Sequence, residues 1–150
     1  QKTAYEIMPS LVGSEMCIRD SHSLGHALGK VFDIHHGVAV GMFIPCTLQF
    51  YSPVSDKYLD ICKALDIMAD AKEKSLAKLV EKVKWLLHEL DLPSDLKGLG
   101  ISQEQLEEKM DKLVVDAIED PDTFGSPRPI TEEQCQLLFR YAYQGKDVDF

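Results

Sequence analysis

Residues 22–50 read HSLGHALGKVFDIHHGVAVGMFIPCTLQF, and this stretch decides the fold. Its first part carries apolar residues at the three- and four-residue steps of an amphipathic helix, namely Leu24, Leu28 and Val31. Gly25 and Gly29 lie one helical turn apart, and because glycine weakens a helix, the pair indicates close approach by another helix or a ligand. The run at 38–50 is strongly apolar, and Pro45 within it predicts a kink or a helix start.

Helical patterns continue through the rest of the chain, and no clean strand alternation interrupts them. Residues 71–92 place apolar side chains on one face and Lys and Glu on the other. Ser102 with Gln105, and Thr131 with Gln134, have the spacing of capping boxes that open helices. These patterns predict an all-α domain of about six to eight helices.

Composition narrows the class of protein. The chain has 150 residues, 45% of them hydrophobic, and a net charge of −9. Such values are typical of a globular domain with its own core, and the acidic balance argues against nucleic-acid binding as the main activity. No apolar run is long enough for a membrane span. Beyond residue 20, the cysteines are scattered without a CxxC pair, which favours a reducing, cytoplasmic compartment over a disulfide framework or structural zinc site.

Residues 1–20 fit the remainder poorly and resemble a translated sequencing-library adapter. Residues 11–20, LVGSEMCIRD, back-translate to CTC GTG GGC TCG GAG ATG TGT ATA AGA GAC, the string of a common transposase-based adapter. Residues 1–7 match the accompanying outer primer, and the gap between the two has the size of a sample index. We therefore expect residues 1–20 to be non-native and disordered, and residues 21–150 to form the helical domain.

Four histidines within a short stretch are the candidate chemical residues. His22 and His26 are four residues apart, so they share one face of a helix, and imidazole suits zinc, iron and copper. The glutamate of an HExxH zinc hydrolase is missing between them. From spacing alone, His22, His26 and either His35 or His36 could converge on a metal. The alternative is that the histidines are satisfied core or capping residues.

Residues 22–45 resemble the signature of iron-containing (group III) alcohol dehydrogenases, which is HxxxHxxG, a short turn, and HG before an apolar helix ending in Leu/Ile-Pro. Residues 126–131 and 145–150 also resemble that family's C-terminal sequences. The resemblance covers essentially all of residues 22–150. It implies that residues 21–150 form the helical, metal-binding C-terminal domain of a dehydroquinate-synthase-like fold, with a nucleotide-binding domain upstream in the whole protein.

This resemblance also implies roles for individual residues. His22 and His36 correspond to metal ligands for Fe²⁺ or Zn²⁺, which replaces the arrangement in which His22 and His26 clamp the ion together. His26 corresponds to the catalytic neighbour, near the nicotinamide of NAD or NADP and the proton path. His35 stands where the family often has proline, so we expect it not to bind metal. Ser126 stands where the family has Asn before Pro-Arg, so no functional role is expected for it.

The function implied is a metal-dependent, NAD(P)-linked alcohol dehydrogenase that converts a small alcohol to an aldehyde or ketone and back. In the family, an upstream aspartate and histidine complete the metal site, so we expect this chain to be inactive alone. The full-length protein is expected to be a cytoplasmic homo-oligomer without nucleic-acid or membrane partners. Two alternatives are a non-redox lyase of the same superfamily and a stand-alone helical metal-binding module.

Overall fold

The computed structural model describes residues 15–126 and 128–150, with side chains from residue 21 onward. Within these ranges all regular secondary structure is helical, which confirms the all-α class. No helix there is long and apolar enough to cross a membrane. The elements are α1 (Glu15–Phe32), α2 (His36–Tyr51), α3 (Tyr58–Ala64), α4 (Lys72–Glu89), α5 (Gln103–Ile118), a 3-10 helix (Pro121–Gly125) and α6 (Glu132–Gln144).

The first helix, α1, begins earlier than the sequence indicated. Residues 15–20 form its first part, although we expected disorder throughout residues 1–20. Once a helix has nucleated, each further residue gains one hydrogen bond for the dihedrals it fixes, so extension toward the N-terminus costs little. Residues 1–14 lie outside the described residues, and the adapter origin of the segment stays a prediction.

Helices α1 and α2 form a close hairpin. Asp33 turns the chain with a φ of 54°, and the Ile34 N–H donates to the Gly29 carbonyl across 3.2 Å. A Cβ atom at Gly25 would lie 2.8 Å from both the backbone nitrogen and the Cα of Val40. No side chain fits there, so the close approach predicted from the glycine pair is an approach of one helix to the next.

The central helix of the domain is α2, because α1, α4 and α6 all pack against it. Its side chains are apolar on nearly every face, which is typical of a fully buried helix. Pro45 lies inside this helix, which continues from His36 to Tyr51 without the new start that proline could have caused. An interior proline destabilises a helix by about 3 kcal/mol. Burial of each large apolar side chain stabilises the fold by roughly 1.5–3 kcal/mol, so the several buried side chains of α2 outweigh the proline.

Two clusters of buried side chains join the helices. The larger cluster links α1, α2, α5 and α6, and its fully buried members include Leu28, Phe43, Leu113 and Phe139. The smaller cluster links α2, α3 and α4, and it contains Leu48, Tyr58, Cys62, Leu79 and Val80. Both clusters meet at α2, so this helix is shared by the whole described domain.

Helices α5 and α6 begin at the two predicted capping boxes. The hydroxyls of Ser102 and Thr131 accept hydrogen bonds from the backbone N–H groups of Gln105 and Gln134, and each glutamine side chain accepts one in return. Each box satisfies N–H groups that would otherwise lack a partner within the helix, and a cap of this kind is worth about 1 kcal/mol. The two helix starts are therefore encoded locally.

Replacing Gly25 with alanine should destabilise the domain. The added methyl group would meet the backbone of Val40, so we expect the free energy of unfolding to fall by about 1–3 kcal/mol. This loss exceeds the roughly 1 kcal/mol that alanine gains in helix propensity. Gly41→Ala is the matched control, because its Cβ would lie 3.6 Å from the nearest atom, on Leu87. In urea denaturation this control should be neutral or stabilising, and equal losses in both variants would contradict the close-contact interpretation.

Asp116 of α5 connects that helix to α1 electrostatically. Its carboxylate lies 2.8 Å from the Lys30 ammonium on α1 and 3.1 Å from the Lys112 ammonium on its own helix. The hydrogen bond from Lys30, helped by that from Lys112, holds the pKa of Asp116 below its ordinary value. A carboxyl group whose pKa is lower in the folded than in the unfolded chain stabilises the fold when it is ionised, and that contribution is lost as the pH falls through the lowered pKa.

We therefore expect Asp116→Asn to lower the free energy of unfolding at neutral pH by about 1 kcal/mol or less, since both lysines remain largely in water. The difference in free energy of unfolding between this variant and the wild type should shrink as the pH falls below about 4, because the carboxyl group is then protonated in the unfolded chain. Denaturant titrations across this pH range measure the effect. Asp111→Asn, at an exposed position on the same helix, is the control. If Asp116→Asn lowered the free energy of unfolding equally at neutral and at low pH, the ion-pair explanation would be contradicted.

Candidate active site

Three histidine rings converge at the α1–α2 hairpin. His22 and His26 lie one turn apart on α1, and His36 is the first residue of α2. The ring centroids are 5.6 Å apart for His22 and His26, 5.4 Å for His22 and His36, and 5.1 Å for His26 and His36. The structure thus brings together the three residues for which the sequence predicted roles, while the roles themselves stay predictions.

The glycine contact between the helices explains why His36 reaches α1. Val40 lies one turn after His36, so the two share a face of α2. Val40 packs directly on Gly25, and Gly25 lies between His22 and His26 in the sequence. The face of α2 that touches α1 therefore carries His36 to the other two rings.

The structure also distinguishes the two adjacent histidines that spacing left open. His35 precedes α2 at its N-cap position and is exposed, whereas His36 forms the ring contacts with His22 and His26. His36 is exposed as well, and the two histidines of α1 are half-buried. The cluster therefore opens to the surface of the described domain rather than into its core.

An aspartate that the sequence analysis missed adjoins the cluster. The Asp120 Oδ2 atom lies 2.9 Å from the His26 Nδ1 atom, across 94 residues of chain. The other Asp120 carboxylate oxygen accepts a hydrogen bond from the Asp122 N–H at 2.9 Å. The Asp120-Pro121 pair in the sequence indicates a cap at the start of a turn, but nothing local in that pattern points toward His26.

Hydrogen bonds on three sides hold the loop that carries Asp120. The Thr123 hydroxyl donates to a carbonyl in the last turn of α5 across 2.7 Å. The Ser126 hydroxyl hydrogen-bonds with the tyrosine hydroxyl at the end of α2 across 2.8 Å. The Arg128 guanidinium donates to the Phe50 carbonyl across 2.7 Å and stacks 4.0 Å above the centroid of the Phe50 ring. The position of Asp120 is therefore set by contacts to both α5 and α2.

The donor set fits a divalent cation. Imidazole nitrogen is a good ligand for iron and zinc, and His22 and His36 present two such rings from neighbouring helices. Ligand atoms of His26, Asp120 and Asp122 lie within 4.8 Å of one another. The two carboxylates add negative charge beside the His26 ring, which favours a bound cation there, although this group includes neither His22 nor His36. Fold and site together define a helical domain with a histidine-rich site suited to a metal ion.

Comparison with known proteins places the chain in a family. Residues 12–143 match the family described as "Fe-containing alcohol dehydrogenase family, C-terminal". The chain belongs to the Fe-containing alcohol dehydrogenase family and corresponds to its C-terminal part, as the sequence resemblance predicted. The match begins inside the segment that resembles an adapter, so a native boundary at residue 21 stays a prediction.

Two relatives illustrate the relationship. The chain is 32% identical over 130 residues to the NADPH-dependent butanol dehydrogenase of Clostridium saccharobutylicum, a match that covers 86% of this chain and 34% of that protein. It is 26% identical over 125 residues to the lactaldehyde reductase of Escherichia coli (strain K12), covering 81% of this chain and 32% of that protein. The chain thus spans about a third of the length of these relatives.

Solved structures show the same fold. The crystal structure of a 1,3-propanediol oxidoreductase matches with a TM-score of 0.71 at 22% identity, covering 83% of this chain and 32% of that one. An alcohol dehydrogenase from Oenococcus oeni matches with a TM-score of 0.71 at 20% identity, covering 82% of this chain and 32% of that one. These similarities confirm the predicted helical fold, and the family match gives its place in the C-terminal part of these proteins.

Proposed function

We propose that this chain is the C-terminal helical domain of a metal-dependent, NAD(P)-linked alcohol dehydrogenase that interconverts small alcohols with aldehydes or ketones. The observation that supports this most directly is the convergence of His22, His26 and His36 in a chain of this family. The names of the two relatives, a butanol dehydrogenase and a lactaldehyde reductase, support short-chain alcohols and aldehydes as the substrate class. The butanol dehydrogenase is NADPH-dependent, so NADP is the cofactor to test first.

His22 and His36 would hold the metal, Fe²⁺ or Zn²⁺. Their rings lie 5.4 Å apart between centroids, and neutral imidazole binds either ion. When bound, the ion supplies Lewis acidity toward the alcohol or carbonyl oxygen. The exposure of His36 leaves the cluster open to further ligands, and the family resemblance assigns these to an aspartate and a histidine upstream of the chain.

His26 would be the catalytic residue that moves the hydroxyl proton. Its ring lies beside both proposed ligands, with centroid distances of 5.6 Å to His22 and 5.1 Å to His36. An imidazole can accept a proton on one nitrogen while it donates from the other, and general acid–base catalysis of this kind contributes about 10²–10⁴-fold to a rate. The ring is half-buried, so it borders both the cluster and solvent. NAD(P) supplies the hydride chemistry.

The proposal for the whole protein is a cytoplasmic homo-oligomer without nucleic-acid or membrane partners. Cysteines with described side chains are buried free thiols, which supports a reducing compartment. Trp85, Leu86 and Leu90 on and just after the end of α4 are about half exposed. Apolar side chains that lie together at a surface are suited to contact with further protein.

Alanine substitutions in a full-length protein that carries this chain test the assigned roles. His22→Ala and His36→Ala should remove both metal and activity, because each deletes a ligand. His26→Ala should retain the metal and lower kcat by about 10²–10⁴-fold, because it deletes only the proton-transfer group. Elemental analysis measures the metal content, and the absorbance of NADPH measures oxidation of butanol.

His88→Ala is the matched control for these substitutions, because His88 lies on α4 with its side chain 86% exposed. This variant should keep full metal content and activity. Retention of metal and activity by both His22→Ala and His36→Ala would contradict the assignment. An intact protein that converts no alcohol with NAD or NADP would contradict the dehydrogenase proposal and favour the lyase.

The 150-residue chain itself should bind metal weakly and oxidise no alcohol. It supplies two of the proposed ligands, and two imidazoles do not complete the coordination of Fe²⁺ or Zn²⁺. Calorimetric titration with Zn²⁺ measures the affinity, with the His22→Ala/His36→Ala double variant as the reference for adventitious binding. Tight binding that the double variant abolishes would contradict the incomplete site and favour a stand-alone metal-binding module.

A further inference from the structure

We infer that Asp120 is a positioning residue for His26, which holds the imidazole with its proton on Nδ1 and leaves Nε2 as the free acceptor. The inference starts from one contact, the 2.9 Å separation of the His26 Nδ1 and Asp120 Oδ2 atoms. Its catalytic meaning rests on the proposed function, in which His26 moves the hydroxyl proton.

The chemistry of the two partners decides which nitrogen carries the proton. An ionised carboxylate has acceptor atoms only, and a neutral imidazole has one donor and one acceptor nitrogen. A hydrogen bond between Asp120 and Nδ1 therefore requires the proton on Nδ1, and it leaves the lone pair on Nε2. The bond made by one imidazole nitrogen generally sets the state of the other.

Asp120 is itself held in place on its second oxygen. That atom accepts the Asp122 N–H and so caps the 3-10 helix that begins at Pro121. The Asp120 side chain is 13% exposed, whereas the His26 side chain is 39% exposed. The carboxylate is thus the more enclosed partner, and its orientation is determined by the loop rather than by His26.

The helix before Asp120 is also attached to the helix that carries His26. Asp116, one turn earlier in the chain, is paired with Lys30 of α1 at 2.8 Å, and α5 packs against α1 through the larger buried cluster. Hydrogen bonds of Thr123 and Ser126 hold the following loop to α5 and α2. A carboxylate supported from both sides in this way can keep a partly exposed ring in one orientation.

A direct role as a metal ligand is the competing explanation for Asp120. Its carboxylate, that of Asp122 and the His26 ring have ligand atoms within 4.8 Å of one another. The positioning role is favoured because both Asp120 oxygens are already engaged, one by the ring nitrogen and one by a backbone N–H. Removal of the Asp120 charge separates the two explanations. It should weaken metal binding if Asp120 is a ligand and leave metal binding unchanged if Asp120 only positions His26.

The Asp120→Asn variant in the 150-residue chain tests the tautomer directly. The asparagine oxygen can still accept the Asp122 N–H, so the cap is retained, while its amide can donate to Nδ1 and release the proton to Nε2. Long-range ¹⁵N NMR of the histidine rings at about pH 8, where a free imidazole is neutral, should show Nδ1–H for His26 in the wild type and Nε2–H in the variant. Asp111→Asn, which removes an exposed carboxylate from α5 outside the Asp116–Lys30 ion pair, is the matched control and should leave His26 unchanged.

Kinetics in the full-length protein test the consequence. Asp120→Asn should lower kcat by about 10–100-fold with KM and metal content unchanged. In the His26→Ala background the same substitution should cause no further loss, because a residue that acts only through His26 has nothing left to position.

Any of three results would overturn the inference. The first is an unchanged His26 tautomer in Asp120→Asn. The second is a further loss of kcat when Asp120→Asn is added to His26→Ala. The third is a loss of Zn²⁺ binding in both Asp120→Asn and Asp122→Asn, which would indicate that the two carboxylates are metal ligands. Failure of the proposed function has a different signature. In that case His26→Ala would leave kcat intact, while the tautomer change in Asp120→Asn would still be seen in the isolated chain.

Discussion

The contact between Gly25 on α1 and the backbone of Val40 on α2 is the constraint on which the rest of this domain depends. Packed helices usually lie 8–10 Å apart, with the separation set by the side chains between them. At this contact α1 presents Gly25, which has no side chain, and an added Cβ would lie 2.8 Å from backbone atoms of Val40. The close approach places α2 centrally in the larger cluster and brings His36, one turn before Val40, against the histidines of α1.

The candidate site is built on rigid elements and completed by a supported loop. Two of its rings project from one helix and the third from the start of the next, so their separations follow from helix packing rather than loop flexibility. Asp120 reaches the same place from the far end of α5, beyond the ion pair that joins Asp116 to Lys30. Sites held on packed helices keep their geometry more exactly than sites held on free loops.

Much of this fold could be predicted from local patterns, because its causes are local. Capping boxes at Ser102 and Thr131 act within three residues, and the predicted helix starts were confirmed. Pro45 shows the limit of such reasoning. The cost of an interior proline is a local quantity, but the burial that outweighs it depends on the neighbours of α2, which the proline itself does not specify.

By itself, the sequence determined the all-α class, the pairing of His22 with His26 on one helix face, the close-packing glycines and the family. All of these follow from spacings of a few residues or from a motif read in order. Spacing alone left His35 and His36 open, the family motif favoured His36, and the tertiary structure places the His36 ring beside the pair. Only the tertiary structure shows that Asp120 touches His26. The choice between adjacent histidines depends on the rotation of α2 about its axis, and a contact across 94 residues depends on how α5 packs on α1. Neither quantity is encoded in the order of neighbouring residues, since both arise when separate helices share one core.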